Sequence, residues 1–525
     1  MKTKMKLIAV VVGLFLIIDI VGGLTYNFAN VGSIIYLTFV ILLIAGILSY
    51  DSFTETAVSK LFAVTSGVIV ISLLIGGLMS AKFLNAKRYA AVIGDVDEMS
   101  FQELYGNDRD IEMSYVDKDS AQMAADKKLG ELSDLSARFV IDHEEFSQIN
   151  YQGKMIRIAP FEYTDSFKKY TSIGQGVPYY IMVHTGDSAM NAKAEIVTLE
   201  EGMNYYPGAP LLKDLHRHVA MRHKFSYLDD YFFEIDDEGN PYWIVQVIRK
   251  RVGLWGSKDM QAIITVDAIT GDTQRYDMDS IPEWVDTVYP TDMLMNQAKN
   301  YYKFSGGYLN ALFAQRGVMA IDSEEGDYNY VMIDGEIYIF TGIRPHNAES
   351  NSTTGLLFMS KRTGESIEME LPGVSIPSAE LTSIGGIQEK GYRPTTPVLQ
   401  NINGFPTYVM SLKDQSGVVR GFSFVNYQDY TKSAVGDNYE STEKNYLNVM
   451  GDSESLTPDD QESLELVISD IVAVTIDGNT QYLITFEGRE EIYSAPIKVS
   501  FKLAFAKVGD NVKVLVQGSR IIEFE

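Results

Sequence analysis

The chain has 525 residues, 44 Lys and Arg against 70 Asp and Glu, and no cysteine. A formal net charge of −26 sets DNA and RNA aside as partners, because so acidic a surface repels phosphate backbones. Absent cysteine excludes disulfides, thiol catalysis and Cys-ligated zinc or iron–sulfur sites.

Three apolar runs open the chain: Leu7–Leu24, Val31–Tyr50 and Leu61–Phe83. A spanning helix needs roughly 20 mostly apolar residues, because it satisfies its own backbone polar groups in lipid. The expectation is a three-helix transmembrane anchor over residues 1–84, with connections at Thr25–Asn30 and Asp51–Lys60. Lys2, Lys4, Lys6 and Lys60 fall on one side, and Lys82, Lys87 and Arg88 on the other. That bias puts the N-terminus in the cytoplasm and, after three spans, the body outside the cell. Met1–Leu24 has the basic start and apolar middle of a signal peptide but no small-x-small site before Tyr26, so retention is expected. Residues 1–88 hold seven basic and three acidic residues, a charge of +4. The rest, with 37 basic and 67 acidic, carries −30. Asp19 is the one acid within a run; a local polar contact, to Thr38 or Ser72, is expected rather than an ion path. Gly22, Gly23, Gly76 and Gly77 suit close helix approach.

Residues 85–145 read as a helical connector. Asn85–Tyr105 begins as a helical continuation, and Asp117–Leu132 is an amphipathic helix with Ser120 as its cap and Gly130 near its end. Strand patterning starts at Phe146–Pro160, with Gly153 at a turn. A unit of turn glycine, tyrosine and apolar strand then recurs at Gly176–Val183, Gly239–Val247, Asp334–Phe340 and Asn403–Met410, with a fifth copy at Asp477–Ile484. Gly176, Gly239, Gly335 and Gly404 are the expected module turns, because glycine takes positive φ at low cost. The uneven spacing describes joined α+β modules rather than a solenoid. They are a first module over 146–230, a second over 231–320 with a helical hairpin around Ser305–Gly307, and further modules over 321–450. Thr291 is the expected N-cap of that hairpin's first helix. Residues 451–462 form an acidic linker. Residues 463–525 alternate throughout and predict a small C-terminal β-barrel, OB-like or SH3-like.

Val266–Asp272, after a turn-tyrosine-strand unit, resembles the closing hairpin of PepSY domains. The likeness covers Phe233–Tyr276 and extends to Tyr330–Met369, where Lys361-Arg362-Thr363-Gly364 departs from the Asp-Ala-x-Thr-Gly pattern. The three spans, the modules and segments such as Glu234–Tyr242 and Gly253–Asp259 also resemble a family of membrane-anchored Firmicutes surface proteins. The resemblance implies an extracytoplasmic binding or regulatory role in a Gram-positive cell.

Local chemistry is sparse. Ala209–Phe225 reads as an amphipathic helix with Leu212, Leu215, Val219 and Met221 inward. His216 and His223 share its predicted face, with His218 opposite, which is not the i, i+4 spacing of a zinc helix. Asp142–Glu145 and Asp236–Gly239 lack the partners that acid–base or calcium chemistry needs. No motif for a catalytic residue, cofactor or metal is present. Lys213, Arg217, Arg222, Lys224, Arg249, Lys250 and Arg251 are basic residues gathered on an acidic body, and are candidates for a subunit contact. The reading is a non-catalytic, membrane-anchored extracytoplasmic scaffold or binding protein. Its partners are membrane lipid, cell-wall components or a protease, and further copies of itself in a homo-oligomer. The alternative is a PepSY-like protease inhibitor or an unrecognised cell-wall enzyme.

Overall fold

A computed structural model describes residues 2–49, 57–106, 109–171, 174–185, 192–322, 328–346, 352–386, 391–451, 461–476, 479–489, 491–496, 499–517 and 520–524. The chain is mixed α+β and divides into two compact units, Met1–Leu447 and Asn448–Glu525.

Helices α1 (Lys2–Gly22), α2 (Val31–Ser49) and α3 (Ala57–Met79) pack in order, α1 on α2 and α2 on α3. Met5–Gly22 is by itself long and apolar enough to cross a membrane. Val31–Ile47 is a shorter apolar helix, and Val64–Met79 bends by 47° into Lys82–Ile93. The third apolar run therefore breaks after Met79 and not at Phe83. Asn85 holds the break: its φ is −127°, and its side-chain amide donates to Met79 O at 2.8 Å and Ala81 O at 3.1 Å. The Met79 carbonyl is thereby satisfied where one helix stops and α4 (Lys82–Ala90) begins, and the Ala81 carbonyl also takes the Leu84 and Asn85 N–H groups.

The segment expected as a helical connector also supplies strands. Val96–Glu98 pairs in parallel with Ser366–Met369, and Ile111–Met113 pairs with Tyr328–Ile333. The amphipathic helix is present at Lys118–Gly130. Its N-cap is Asp117, whose carboxylate accepts Ser120 N–H, so Ser120 receives the cap rather than providing it.

Four units follow, each a helix and then an antiparallel four-stranded meander. The helices are Lys118–Gly130, Leu215–Arg222, Thr291–Phe304 and Ile376–Gly386. Their meanders run through Ser147–His184 to Lys193–Met203, through Leu228–Ile235 to Thr273–Asp277, through Tyr328–Ile333 to Ser366–Met369, and through Val398–Ile402 to Ser433–Gly436. The boundaries expected from sequence cut the first three helices from the strands that follow them, and keep Ile376–Gly386 with its own strands. The second and third units repeat in detail. The Ala268 carbonyl accepts from Asn204 and Tyr205 N–H, and the Lys361 carbonyl from Val288 and Tyr289 N–H. Tyr205 then lies over Gly271, as Tyr289 lies over Gly364.

Gly239, Gly335 and Gly404 occupy the turn between the first two strands of their units, at φ 85°, 84° and 86°. The equivalent residue in the first unit is Gly153, at φ 78°. Gly176 is also at a turn, with φ 66°, but it leads into that unit's third strand. Asp334 and Asn403, just before two of these glycines, also have positive φ, as a tight hairpin requires.

The second sheet is buried on both faces. Trp243, Val245 and Val247 join a core with Ile156, Ile158 and Ile181 of the first sheet. Ile244, Ile248 and Ile263 face Val285, Val288 and Met293. Tyr180 of the first unit donates to Gly239 O, and Asn150 to Gly335 O, so turns of the next two units dock on the first.

In the second compact unit, Gln461–Ile476 pairs with both Asn479–Phe486 and Asn511–Gln517. The ring closes through Ile492–Pro496 and Arg520–Phe524. Ile468, Ile484, Phe486, Tyr493 and Val514 fill it. Residues 477–478 of the fifth turn unit, and most of the acidic linker (452–460), lie outside the described residues.

Candidate functional site

The seven basic residues offered as a subunit contact all have partners within their own chain. Lys213 Nζ donates to Asn204 Oδ1 at 2.7 Å, and Arg222 bonds His218 Nδ1 at 3.0 Å. Arg249 and Arg251 share the Asp259 carboxylate at 2.9 and 3.4 Å, and Lys250 lies 5.4 Å from the Tyr227 ring centre. Arg217 donates to the carbonyls of Leu211 and Ala209, and at 3.4 Å to Val21 O of α1. Lys224 reaches Asp19 at 2.9 Å. A single copy therefore gains contacts of its own from gathering these cations.

Lys224 also identifies what Asp19 bonds, which is neither Thr38 nor Ser72. Asp19 is 9% exposed and accepts from Lys224 and from the Tyr26 hydroxyl. Around this pair the body sits on the ends of the apolar helices. Tyr26 N–H donates to Lys224 O, and the Ser80 hydroxyl oxygen accepts from Leu254 and Trp255 N–H. Gly23 and Gly76 serve this junction and not helix–helix contact. A Cβ at Gly23 would lie 3.1 Å from Arg217 Cα, and one at Gly76 would lie 2.4 Å from the Trp255 ring.

The histidine helix is shorter than its pattern. Leu211–Lys213 is a 3-10 turn after Pro210, and Asp214 caps the helix by accepting Arg217 N–H. Leu215 and Val219 are buried, whereas Leu212 and Met221 are exposed. His218 is buried against Gly271 O at 2.6 Å, and its pKa is lowered by burial first. His216 points the other way, with its ring 4.3 Å from Tyr231, and lines a cavity.

That cavity, of about 680 Å3, lies among the first three sheets. Its size suits a small ligand. Strand Lys154–Tyr163 contributes Arg157, strand Tyr328–Ile333 contributes Tyr330, and the turn after Gly355–Ser360 contributes Lys361. Arg157 is 5% exposed and its Nε has no hydrogen-bond partner. Among the described residues no carboxylate lies in ion-pair reach of it, and its guanidinium stands 5.7 Å from the Tyr330 ring centre. Lys361 Nζ is 5.5 Å from the same ring and 3.4 Å from Thr287 Oγ1. Burial alone would raise the Tyr330 hydroxyl. The Lys361 charge, the Thr291 hydroxyl and the Arg157 charge outweigh it and hold the phenol below its usual value.

Behind Lys361, Glu234 accepts from Asp286 and Thr287 N–H at 3.0 and 2.7 Å. Burial, and then the Glu234 charge, push Asp286 well above the usual carboxylate range. The charges of Arg362 and Lys361 act on Asp286 in the opposite sense.

The mouth has the opposite sign. Glu144, Glu145 and Asp230 line it. Among the described residues none of the three has a cation in ion-pair reach. Burial, with the charges of Asp142, Glu144 and Asp230, pushes Glu145 up to about 8. Asp230, from strand Leu228–Ile235, joins the Asp142–Glu145 run at this mouth. Asp236 caps its own turn, accepting from Glu238 and Asn240 N–H. Among the described residues no group of three or more His, Asp or Glu is placed to hold a metal ion.

Sequence reasoning missed Arg157 and Tyr330, which look like ordinary strand residues. Lys361 did leave a signal. Ser360 and Lys361 stand where the second unit has Asp267 and Ala268, and Ser360 takes over the turn-capping bonds of Asp267. The departure from the repeat marks the cavity floor.

No family model and no curated protein matches the chain. Solved structures with some similarity include Trypanosoma rangeli sialidase in complex with sialic acid. That match has 10% identity and a TM-score of 0.15, and covers 68% of this chain and 53% of that one. Another is a B. megaterium levansucrase mutant, at 9% identity and TM-score 0.16, covering 82% and 95%. The chain spans about half the length of that sialidase. At such TM-scores neither match bears on fold or activity.

Proposed function

We propose that this protein is a non-catalytic, membrane-anchored binding protein whose cavity holds a small charged ligand. In this reading α1, α2 and the bent α3–α4 pair span the membrane and the body lies outside the cell. The C-terminal ring of strands is an OB-like or SH3-like barrel. The observation that carries the reading is Arg157, a buried cation that opens on a cavity and, among the described residues, has no ion-pair partner and an Nε without a hydrogen bond. An unpaired buried charge is costly, so a fold keeps one where a ligand completes it.

The test is thermal unfolding of the full chain in detergent, with acetate or inorganic phosphate added at constant ionic strength. A bound anion at about 100 times its dissociation constant stabilises by about 2.7 kcal/mol. The parent protein should gain stability and Arg157→Met should not. Equal shifts in both would overturn the reading. One observation favours a catalytic alternative: Tyr330, held below the usual phenol value between two cations, has the character of a nucleophile or base. Loss of a hydrolytic activity in Tyr330→Phe, with ligand binding kept, would establish it.

A further inference from the structure

The cavity carries two charges of opposite sign, and they are spatially separate. Arg157 and Lys361 are buried, whereas Glu144 and Asp230 are exposed. Asp117 and Asp119 also line the cavity and act on Arg157, but Asp117 is paired with Lys413 and Asp119 is exposed. So the inner end of the cavity is a cationic floor and the outer end an anionic mouth, with Tyr231 and Phe232 also in its wall.

A plain anion would satisfy Arg157 but would have to pass the acidic mouth and leave Glu145 crowded. A plain cation would relieve Glu145 and leave Arg157 unpaired. One class of molecule satisfies both ends. We propose that the cavity binds a small zwitterion, with its carboxylate or phosphate on Arg157 and Tyr330 and its ammonium among Glu144, Glu145 and Asp230. This rests on the binding reading above and adds the polarity of the ligand. Bidentate guanidinium recognition favours a planar or tetrahedral oxyanion at the floor. The crowded carboxylates favour an ammonium at the mouth, where a positive charge turns mutual repulsion into attraction.

The test is calorimetric titration of the full chain in detergent with four probes. Alanyl-alanine carries both ends. N-acetyl-alanyl-alanine lacks the ammonium, and alanyl-alanine amide lacks the carboxylate. Phosphoethanolamine carries both ends with phosphate as the anion, and separates a phosphate-bearing headgroup from a peptide as the source. One or both zwitterions should bind, with each blocked dipeptide at least roughly ten-fold weaker than alanyl-alanine if the dipeptide is the better fit. Arg157→Met should abolish binding of either zwitterion. Glu145→Gln, titrated above pH 8 where the parent carboxyl is ionised, should fold and should weaken the zwitterions but not the acetylated dipeptide. Acetylated dipeptide binding as tightly as alanyl-alanine, and losing affinity in Arg157→Met, would overturn the zwitterion and leave the binding reading standing. No heat from any probe, together with no stabilisation by acetate or phosphate, would overturn both.

Discussion

Glu145 turns the electrostatics of the cavity mouth into a measurable stability. Its carboxyl rises from 4.5 to about 8, through burial first and then through Asp142, Glu144 and Asp230. Between those values the folded protein keeps a proton that the unfolded chain has lost. Stability must therefore fall as pH rises through that window. Glu145→Gln should flatten this slope in thermal unfolding and should be more stable than the parent protein at the alkaline end. An unchanged slope would place the titration elsewhere. Arg157 makes the complementary point about legibility. It sits in Lys154–Tyr163, a strand with almost every residue buried, and nothing in its neighbours in sequence distinguishes a trapped cation from a surface one. Its partners in space, Tyr330 and Lys361, lie more than 170 residues away.

Elements were legible where local chemistry decides them. The apolar runs gave helices, and glycines at positive φ gave turns, because both are fixed within a few residues. What failed was assignment of each helix to a sheet. The apolar face of Leu215–Arg222 looks the same whether it covers strands before or after it, and only packing into the shared core decides. Pro210 and the capping Asp214 also shortened that helix below its hydrophobic pattern. The pairing of α1 with the body follows the same logic, since Asp19 has no basic partner within the spans and its cation, Lys224, lies in the body. Lys224→Met would leave the Asp19 carboxylate, 13% exposed, without its cation, a loss of about 1–3 kcal/mol for a part-buried charge-assisted hydrogen bond. Asp19→Asn in the same chain should recover much of it. Thermal unfolding of the two single variants and the double variant in detergent measures the coupling. Additive effects would mean that the pair is solvated and does not hold the body to α1.

For the whole molecule, orientation is the open property that the charge bias addresses. Protease added to intact protoplasts should remove the body and leave a fragment of about the first 90 residues, set by the length of the spanning region. A fully protected body would reverse the orientation. The seven-stranded third sheet has a further consequence, in time rather than in space. Val96–Glu98 finds its partner strand only at Ser366–Met369, and Ile111–Met113 only at Tyr328–Ile333. At synthesis rates of about 5–20 residues per second, the first of these strands waits on the order of 15–55 s for the second to emerge. During that interval the stretch is an unpaired strand edge, which in the proposed topology stands at the mouth of the export channel. A chaperone there, or rapid closure of the first helix-and-meander unit, has to shield it until the ribosome is more than two-thirds of the way along the message.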